Sequence, residues 1–300
     1  MPAELLGRPL TELRRDRVMG TGLHVIVHGD PEAGSAAVAR IEELERRWSR
    51  FQTSSDVTLL NGAGGRPLAV HADTLLLLDR CLLAGRRTWG LFDASVLAAV
   101  RAAGYTESYT GLDVAAGDPV PSSGLAGLRI EGLHARLPAG VQLDPGGLGK
   151  GLAADLAAHA ALSAGAIGVV VNLGGDLRAA GTPPEGGWII DVESPFSAAD
   201  TVATLHLASG AVATSSRTHR VLGHGHHLID PSTGAPARSG LAQATVIAGE
   251  GWWAEALATA SFVAGPDVGA DLVTRHDAAA ILITDAGEFI AVGDLARFTC

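Results

Sequence analysis

At residues 143–155 the chain reads LDPGGLGKGLAAD, and an alanine-rich run leads from there to IGVVVNL at residues 167–173. This pattern predicts a short strand over Val141–Leu143, a glycine-rich turn, a helix from about Gly149 to Ser163, and an apolar strand from Ile167 to Leu173. Lys150 lies in the turn and is the only lysine among 22 lysine and arginine residues. A lysine ammonium is a compact charge that suits phosphate where the planar fork of arginine does not fit. Lys150 is therefore the first candidate for a functional contact.

The rest of the chain mixes isolated helices with neighbouring strands. Further helices are predicted from Pro31 through Trp48, over Asp73–Ala84 ending at Gly85, over Ser95–Ala103 and over Trp252–Val263. Further strands are predicted over Gly22–Gly29, Leu128–Ile130, Trp188–Val192, Val202–Leu207 and Ala242–Ala248, with a last hairpin of Ala280–Thr284 and Phe289–Val292. The mixture predicts an α+β fold of mixed or antiparallel sheets flanked by helices, in a single domain over residues 1–300. Residues 1–18 are expected to be an N-terminal extension, and the polar residues 105–127 an insertion loop.

Composition excludes several classes of partner. A net charge of −10 provides no basic field for nucleic acid or an anionic membrane, so any phosphate ligand must be held by local groups. The only cysteines, Cys81 and Cys300, belong to no disulfide or zinc-binding pattern. The first twenty residues carry many charges and no apolar segment typical of a secretory or lipoprotein leader, and no run of 18 apolar residues occurs. We therefore expect a cytoplasmic protein without a membrane span.

The turn around Lys150 admits two phosphate-binding interpretations. A P-loop is ruled out, since it would need glycine at Asp144 and serine or threonine at Gly151. The dinucleotide pattern GxGxxA matches residues 149–154, after a strand and at the start of a helix. Alternatively, the glycines form a tight turn that brings the helix start close to a sheet, where its N–H groups can face an anion.

Two further segments carry candidate ligands. Glu255 and Thr259 are four residues apart on a predicted helix, so their oxygens share one face and could hold a hard cation such as Mg²⁺. Residues 210–234 are rich in hydroxyls, histidines and turn formers. Both segments could instead be structural. Glu255 and Thr259 could be a solvent-facing pair, and residues 210–234 could be a polar loop.

Taken together and in order, blocks along nearly the whole chain resemble the ApbE-type FAD:protein FMN transferases. The blocks are Met19–Thr21, Trp48–Phe51 with Ser55 and Asn61, Gly90–Ser95, Leu143–Asp155, Val171–Asp176, Ala213–Ser215, His227–Gly234 and Ala254–Ala260. The resemblance implies a single α+β unit of T-fold-like halves. It also implies an Mg²⁺-dependent enzyme that transfers FMN from FAD to a Thr or Ser of an acceptor flavoprotein through a phosphoester and releases AMP.

The resemblance also implies roles for individual residues. The residues expected around FAD are Met19, Phe51, Asn61, Leu91, Phe92, Asp93, Lys150, Leu156 and Ile229. The Mg²⁺ ligands are expected to be the Ala153 carbonyl, Glu255 and Thr259. His227 is the expected general base, with Lys150 assisting at the diphosphate, and Asp230 orients His227 or else only shapes the turn before Thr233.

The chain departs from the family pattern at three positions. Phe51 stands where the family often has a tyrosine that stacks on the flavin, and the aromatic face of phenylalanine can stack in the same way. Glu255 stands where aspartate is usual, and its extra methylene shifts the carboxylate relative to an octahedral Mg²⁺. Ser216 replaces a common glycine. The expected absence of a leader also differs from the many exported relatives.

Three alternative functions stay open at this point. With water in place of the protein hydroxyl, the enzyme would be an Mg²⁺-dependent FAD pyrophosphatase. A flavin-binding protein without activity is a second alternative, because Glu255 stands where the family usually has the aspartate expected to hold Mg²⁺. A dinucleotide-dependent dehydrogenase is the third, and it would need alternating parallel βαβ units.

Overall fold

An eight-stranded sheet forms the centre of the computed structural model, which describes residues 10–105, 117–218, 221–222 and 225–299. The strands in chain order are β1 (Leu10–Val18), β2 (Thr21–Gly29), β3 (Leu68–Ala69), β4 (Arg129–Glu131), β5 (His134–Arg136), β6 (Ala166–Leu173), β7 (Asp176–Gly181), β8 (Trp188–Glu193), β9 (Thr201–Leu207), β10 (Gly210–Ser216), β11 (Val221–Leu222), β12 (Gly225–His226), β13 (Ile229–Asp230), β14 (Ala235–Pro236), β15 (Leu241–Ala248), β16 (Ala279–Thr284) and β17 (Phe289–Val292). The helices are α1 (Glu32–Trp48), α2 (Asp56–Gly62), α3 (Ala72–Arg87), α4 (Leu97–Ala102), α5 (Gly149–Ser163), α6 (Gly251–Ala264) and α7 (Pro266–Arg275), with a 3₁₀ turn at Leu295–Arg297.

The central sheet consists of two topologically similar halves. Its strand order is β1-β2-β6-β7-β10-β15-β16-β17, and all neighbouring strands in it are antiparallel. In the first half α1 and α5 lie in the chain between β2 and β6, and in the second half α6 and α7 lie between β15 and β16. The predicted α+β class with T-fold-like halves is confirmed. The halves meet where β7 pairs with β10.

The sheet separates two apolar layers because successive side chains of a strand point to opposite faces. On β6, Val169 and Val171 belong to the large core beneath the helices, while Val170 faces a smaller core beneath the β8–β9 hairpin. Both faces of this strand are buried, which explains its continuous apolar sequence. Helices α5 and α6 pack on the sheet next to each other, so their N-termini lie side by side where the halves meet.

Most predicted elements are present with small shifts at their ends. Helix α5 has the predicted bounds, Gly149–Ser163, and β2, α1, β6, β15, α6 and the last hairpin lie within two residues of their predicted limits. The predicted strand over Val141–Leu143 is wrong. The backbone of Leu143 pairs with a side chain instead of a strand, because Asn61 donates to its carbonyl at 2.9 Å and accepts from its N–H at 2.7 Å.

Gly85 does not end α3, contrary to the prediction. The helix continues to Arg87, and the left-handed residue that follows it is Trp89, with φ of +53°. The Gly90 N–H then donates to the Gly85 carbonyl at 2.8 Å, which closes the end of the helix. Gly85 is therefore an interior residue of the last turn, and a tryptophan occupies a position where glycine is usual.

Trp89 provides a test of backbone strain. Its side chain is 62% exposed, so its contribution to the core is small. We expect Trp89→Gly to be more stable than Trp89→Ala by about 1 kcal/mol, because both lose the ring while only alanine keeps the steric cost of the left-handed conformation. Urea denaturation of the two variants measures the difference. Equal stabilities would mean that residue 89 leaves this conformation without cost.

Both segments predicted to lie outside the core are only partly described. Residues 10–18 of the expected N-terminal extension form β1, the edge strand of the sheet, and residues 1–9 lie outside the described residues. Of the expected insertion loop, residues 106–116 also lie outside them, and residues 117–124 have no regular structure. Within the described ranges, no helix is both long enough and apolar enough to cross a bilayer. The cytoplasmic location stays a prediction.

Candidate functional site

A cavity of about 370 Å³ opens where the two halves meet, at the N-termini of α5 and α6. Its volume falls within the range of small-molecule sites. Most of the predicted site residues line it, namely Met19, Phe51, Leu91, Phe92, Asp93, Lys150, His227, Ile229, Glu255 and Thr259. The fold thus brings together residues that are spread over more than two hundred positions of the chain.

Four predicted site residues do not contribute to the cavity lining. Asn61 bonds to the Leu143 backbone, and it holds the segment before the glycine turn in place. Ala153 is fully buried within α5, and Leu156 packs against the main core. The Asp230 carboxylate accepts bonds from the N–H and hydroxyl of Ser232, at 2.9 and 2.7 Å, which shapes the Asp-Pro turn. The ligand contacts expected of these residues stay predictions.

Lys150 lies between two buried carboxylates. Its Nζ donates to Asp176 Oδ2 and to Glu255 Oε1, and both acids are only 3% exposed. The other oxygen of Glu255 accepts the Gly151 N–H at 2.7 Å. Burial raises the pKa of the Glu255 carboxyl to about 7, although Lys150 and the Gly151 N–H oppose this rise. In this triad, two buried carboxyl groups share one ammonium.

Several hydroxyl groups line the same cavity as this triad. Thr259 Oγ1 lies 3.2 Å from Ser215 Oγ, and Thr214, Ser215 and Ser216 of β10 also line the cavity. Gly147 passes so close to Thr259 that a Cβ there would lie 3.2 Å from its hydroxyl. Carboxylate and hydroxyl oxygens are the ligand types preferred by hard divalent cations. The predicted common face of Glu255 and Thr259 is present, and it points into the cavity.

An arginine–aromatic cluster forms another wall. The Arg50 guanidinium lies 4.2 Å from the centroid of the Phe51 ring and 4.5 Å from that of Tyr105. Arg50 also pairs with Asp144 at 3.1 Å, and its side chain is only 5% exposed. The Phe51 ring remains 41% exposed. Arg50 thus ties this aromatic ring to the start of the glycine turn.

Asp93 organises the loop between α3 and α4. Its Oδ1 accepts the Ser95 N–H at 2.8 Å, and its Oδ2 accepts the Ser122 hydroxyl. The Asp144 N–H donates to the Ala94 carbonyl at 2.8 Å, which joins this loop to the glycine turn. The backbone of residues 91–93 is therefore held against the cavity by both neighbouring segments.

The two described histidines of the 210–234 segment have different environments. His226 is buried, its Nε2 lies 3.0 Å from the Ala237 carbonyl, and its ring packs edge-on against Phe262. Burial lowers the pKa of His226. His227 is half-buried and lines the cavity. His224 lies outside the described residues. Of the two, only His227 is in a position to act on a ligand in the cavity.

A second acidic group, on the outer surface, is a poorer cation site. Glu43, His71 and Asp73 lie close enough together to share an ion. Arg40 already donates to both carboxylates, at 2.8 Å to Glu43 and at 2.5 and 2.8 Å to Asp73, and Arg47 pairs with Glu43 at 2.6 Å. This group is an ion-pair network between α1 and α3.

The sheet topology excludes the dehydrogenase alternative. The GxGxxA match lies at the start of α5, as predicted, but β6 continues directly into the antiparallel β7. A dinucleotide-binding unit requires parallel strands joined by a crossover helix. The glycines of the turn instead serve close packing: a Cβ on Gly151 would lie 2.2 Å from the Gly251 carbonyl oxygen.

Asp176 and Arg50 are functional candidates that sequence reasoning did not single out. Both lie in blocks that carry the family resemblance, but their partners are distant in sequence: Asp176 is 26 positions from Lys150, and Tyr105 is 55 from Arg50. The available signal for Asp176 was an acidic residue directly after two glycines at the end of an apolar strand.

Comparison with known proteins agrees with this geometry. Residues 19–283 match the model of the ApbE family. The FAD:protein FMN transferase of Rhodobacter capsulatus is 32% identical over 299 residues, which cover 93% of this chain and 56% of that protein. The enzyme of the same name from Treponema pallidum is 28% identical, covering 84% of this chain and 78% of that protein.

Solved structures show the same fold. The crystal structure of the ApbE protein from Thermotoga maritima superposes with a TM-score of 0.85 at 27% identity, and the match covers 97% of this chain and all of that one. The flavin transferase ApbE from Vibrio cholerae gives a TM-score of 0.82 at 23% identity, over 97% of this chain and 99% of that one. The family match spans most of the chain and includes both halves of the sheet. The chain belongs to the ApbE family.

Proposed function

We propose that this chain transfers the FMN moiety of FAD to a Thr or Ser hydroxyl of an acceptor flavoprotein and releases AMP. The observation that carries the proposal is the buried Lys150–Asp176–Glu255 triad at the N-terminus of α5, which faces a cavity also lined by hydroxyls and an exposed aromatic ring. The names of the relatives from Rhodobacter and Treponema support the same activity. The cavity suits a ligand with both a flat ring system and a polar, charged part.

The charge of the cavity favours a divalent cation as part of the ligand. Five carboxylates line it, against three permanent cations: Glu45, Asp93, Asp144, Asp176 and Glu255 against Arg17, Arg50 and Lys150. A diphosphate would add further negative charge to a site that already has an excess of it. A diphosphate ligand therefore needs a divalent cation with it, which is consistent with a requirement for Mg²⁺.

The oxygen donors fit such an ion. Glu255 and Thr259, which line the cavity, would hold it, and the Ala153 carbonyl of α5, outside the cavity lining, is the third ligand that the family resemblance implies. When bound, Mg²⁺ would neutralise charge on the phosphate oxygens as a Lewis acid. Lys150 supplies a second positive charge beside the same carboxylate, and the N-terminus of α5 adds its positive dipole end.

The transfer step requires one nucleophile and one base. The acceptor hydroxyl oxygen forms a bond to the FMN-side phosphorus, while the bond from that phosphorus to the oxygen shared with AMP breaks and AMP leaves with that oxygen. His227 is the side chain we assign to take the hydroxyl proton, because it lines the cavity and imidazole accepts protons near neutral pH. Phe51, held by Arg50, would stack on the flavin.

An incubation with FAD, Mg²⁺ and a candidate acceptor flavoprotein tests the proposal. The expected result is an acceptor whose mass rises by one FMN phosphoester, with AMP released in equal amount and no reaction after chelation by EDTA. Free FMN with an unmodified acceptor would instead show an FAD pyrophosphatase. FAD that stays bound and intact would show a flavin carrier, and both results would overturn the proposal.

The aromatic wall gives a prediction for binding. Phe51→Ala should raise the Kd for FAD about tenfold, since it removes a stacking face, while Phe51→Tyr should bind nearly as tightly as the original chain. Quenching of flavin fluorescence measures both. Phe196→Ala is the matched control, because Phe196 is 55% exposed and does not contribute to the cavity. An unchanged Kd for Phe51→Ala would remove Phe51 from the flavin site.

A further inference from the structure

Helices α5 and α6 both begin without an N-cap side chain of their own. The side chains of the N-cap residues Leu148 and Glu250 accept no backbone N–H from the first turn of their helices. The first N–H groups of a helix have no partner within it, and burial without a partner is costly. Both helix starts are buried here, at Gly149 and Gly251, so their N–H groups need acceptors from elsewhere.

Each helix obtains its acceptor from the other. Glu255, in the second turn of α6, accepts the Gly151 N–H of α5 at 2.7 Å. Asp155, in the second turn of α5, accepts the N–H groups of Gly251 and Trp252 of α6, at 2.8 and 3.0 Å. We call these three bonds the reciprocal cap. They fix the start of α5 against the start of α6 from both sides.

Close backbone contact leaves little freedom between the helices. A Cβ on Gly251 would lie 2.5 Å from the Gly151 carbonyl oxygen, so the two backbones touch at these residues. Arg178 supports Asp155 from behind: its Nε lies 3.4 Å from Asp155 Oδ1, and it donates to the Gly249 carbonyl at 2.6 Å. A shift of α6 along α5 would break the bonds at both ends of the reciprocal cap.

We propose that Asp155 is a positioning residue for Glu255, and this inference rests on the proposed function. Asp155 does not line the cavity, and it acts through the first turn of α6, one turn before Glu255. By holding Gly251 and Trp252 it sets where the Glu255 carboxylate of α6 stands relative to Gly151 and Lys150 of α5. Partners that orient a metal ligand in this way typically change metal affinity or activity by about 10–100-fold when they are lost.

The test compares Asp155→Asn with Asp56→Asn. In Asp155→Asn the amide NH₂ faces one of the two N–H donors, so the start of α6 loses an acceptor. Asp56 is the matched control, since its Oδ2 accepts the His71 N–H at 3.0 Å and the Thr74 hydroxyl at 2.6 Å at the start of α3. Asp56 thus makes a similar contact between helices, away from the cavity.

Two readouts separate positioning from stability. In the protein without ligands, we expect the Gly151 amide to exchange its hydrogen about ten times faster in Asp155→Asn than in Asp56→Asn, as measured by NMR. In FMN transfer, we expect Asp155→Asn to raise the Mg²⁺ concentration for half-maximal rate about 10–100-fold with little change in KM for FAD. Asp56→Asn should leave both the Gly151 exchange rate and the Mg²⁺ requirement of the original chain unchanged.

The outcomes are separable. If Asp155→Asn matches Asp56→Asn in both readouts, Asp155 is only a structural cap and the inference is wrong. If the original chain transfers no FMN, the proposed function fails, while the Gly151 exchange rate still tests the reciprocal cap. If Asp155→Asn does not fold, Asp155→Glu replaces it in the test, because glutamate keeps the charge and displaces the carboxylate. A Mg²⁺ requirement of Asp155→Glu equal to that of the original chain would overturn the inference.

Discussion

Mg²⁺-dependent FMN transfer should fall about a hundred- to a thousandfold when Glu255 is replaced by glutamine. The amide has nearly the same shape, so it can still accept the Gly151 N–H, but it carries no charge to attract a cation. Lys150 keeps its bond to Asp176, and the folded structure should therefore persist. Initial rates measured over a range of Mg²⁺ concentrations, together with Tm, separate loss of activity from loss of fold.

Glu250→Gln is the matched control for this change. Glu250 lies one turn earlier at the start of the same helix, and its carboxylate accepts the indole N–H of Trp252 at 3.1 Å outside the cavity. We expect this variant to transfer FMN at nearly the original rate. Normal turnover in Glu255→Gln would exclude Glu255 from the metal site, and equal losses in both variants would point to the stability of α6 as the common cause.

Lys150→Arg should lower kcat about 10–100-fold although it preserves the charge. Lys150 lies between two nearly fully buried carboxylates, where the larger planar guanidinium does not fit without moving Asp176 or Glu255. Since Glu255 is also a proposed metal ligand, its displacement should reduce turnover more than FAD binding. Steady-state rates, with the Kd for FAD measured separately, distinguish the two effects.

The reverse exchange at another ion pair serves as the control. Arg40→Lys replaces an arginine that bonds to Asp73 and Glu43 on the outer surface, away from the cavity. It should cost stability, because the two-pronged contact with Asp73 is lost, and leave transfer unchanged. If Lys150→Arg retained the original activity, only the positive charge at this position would matter, and the shape of the lysine side chain would not.

Local periodicity predicted those elements whose own residues decide their structure. Helix α5 and strand β6 follow from the alanine-rich run and the valines that come after it, because the residue types and lengths of these two runs favour a buried helix and a buried strand. The strands β7 and β10 were not predicted. They read DLRAAG and GAVATSS, with few bulky or β-branched residues, and they are strands because each pairs with a neighbour on both sides.

The same distinction applies to the candidate site. Glu255 and Thr259 were expected to share a face because they are four residues apart on one helix, and this is what the structure contains. Asp155, by contrast, stood in the sequence only as the last residue of a block that carries the family resemblance. Its capping role depends on α6, whose first residue lies 96 positions further along the chain.

By itself, the sequence determined the α+β class, the family, the helix that begins at the glycine turn, and the lysine placed in its first turn. Only the tertiary structure decided which acids meet that lysine, since Asp176 and Glu255 lie 26 and 105 positions away from it. Spacing along the chain determines which residues share one face of an element. Contacts between elements are set by packing, here by the pairing of β7 with β10 and by two helix starts that touch at Gly151 and Gly251.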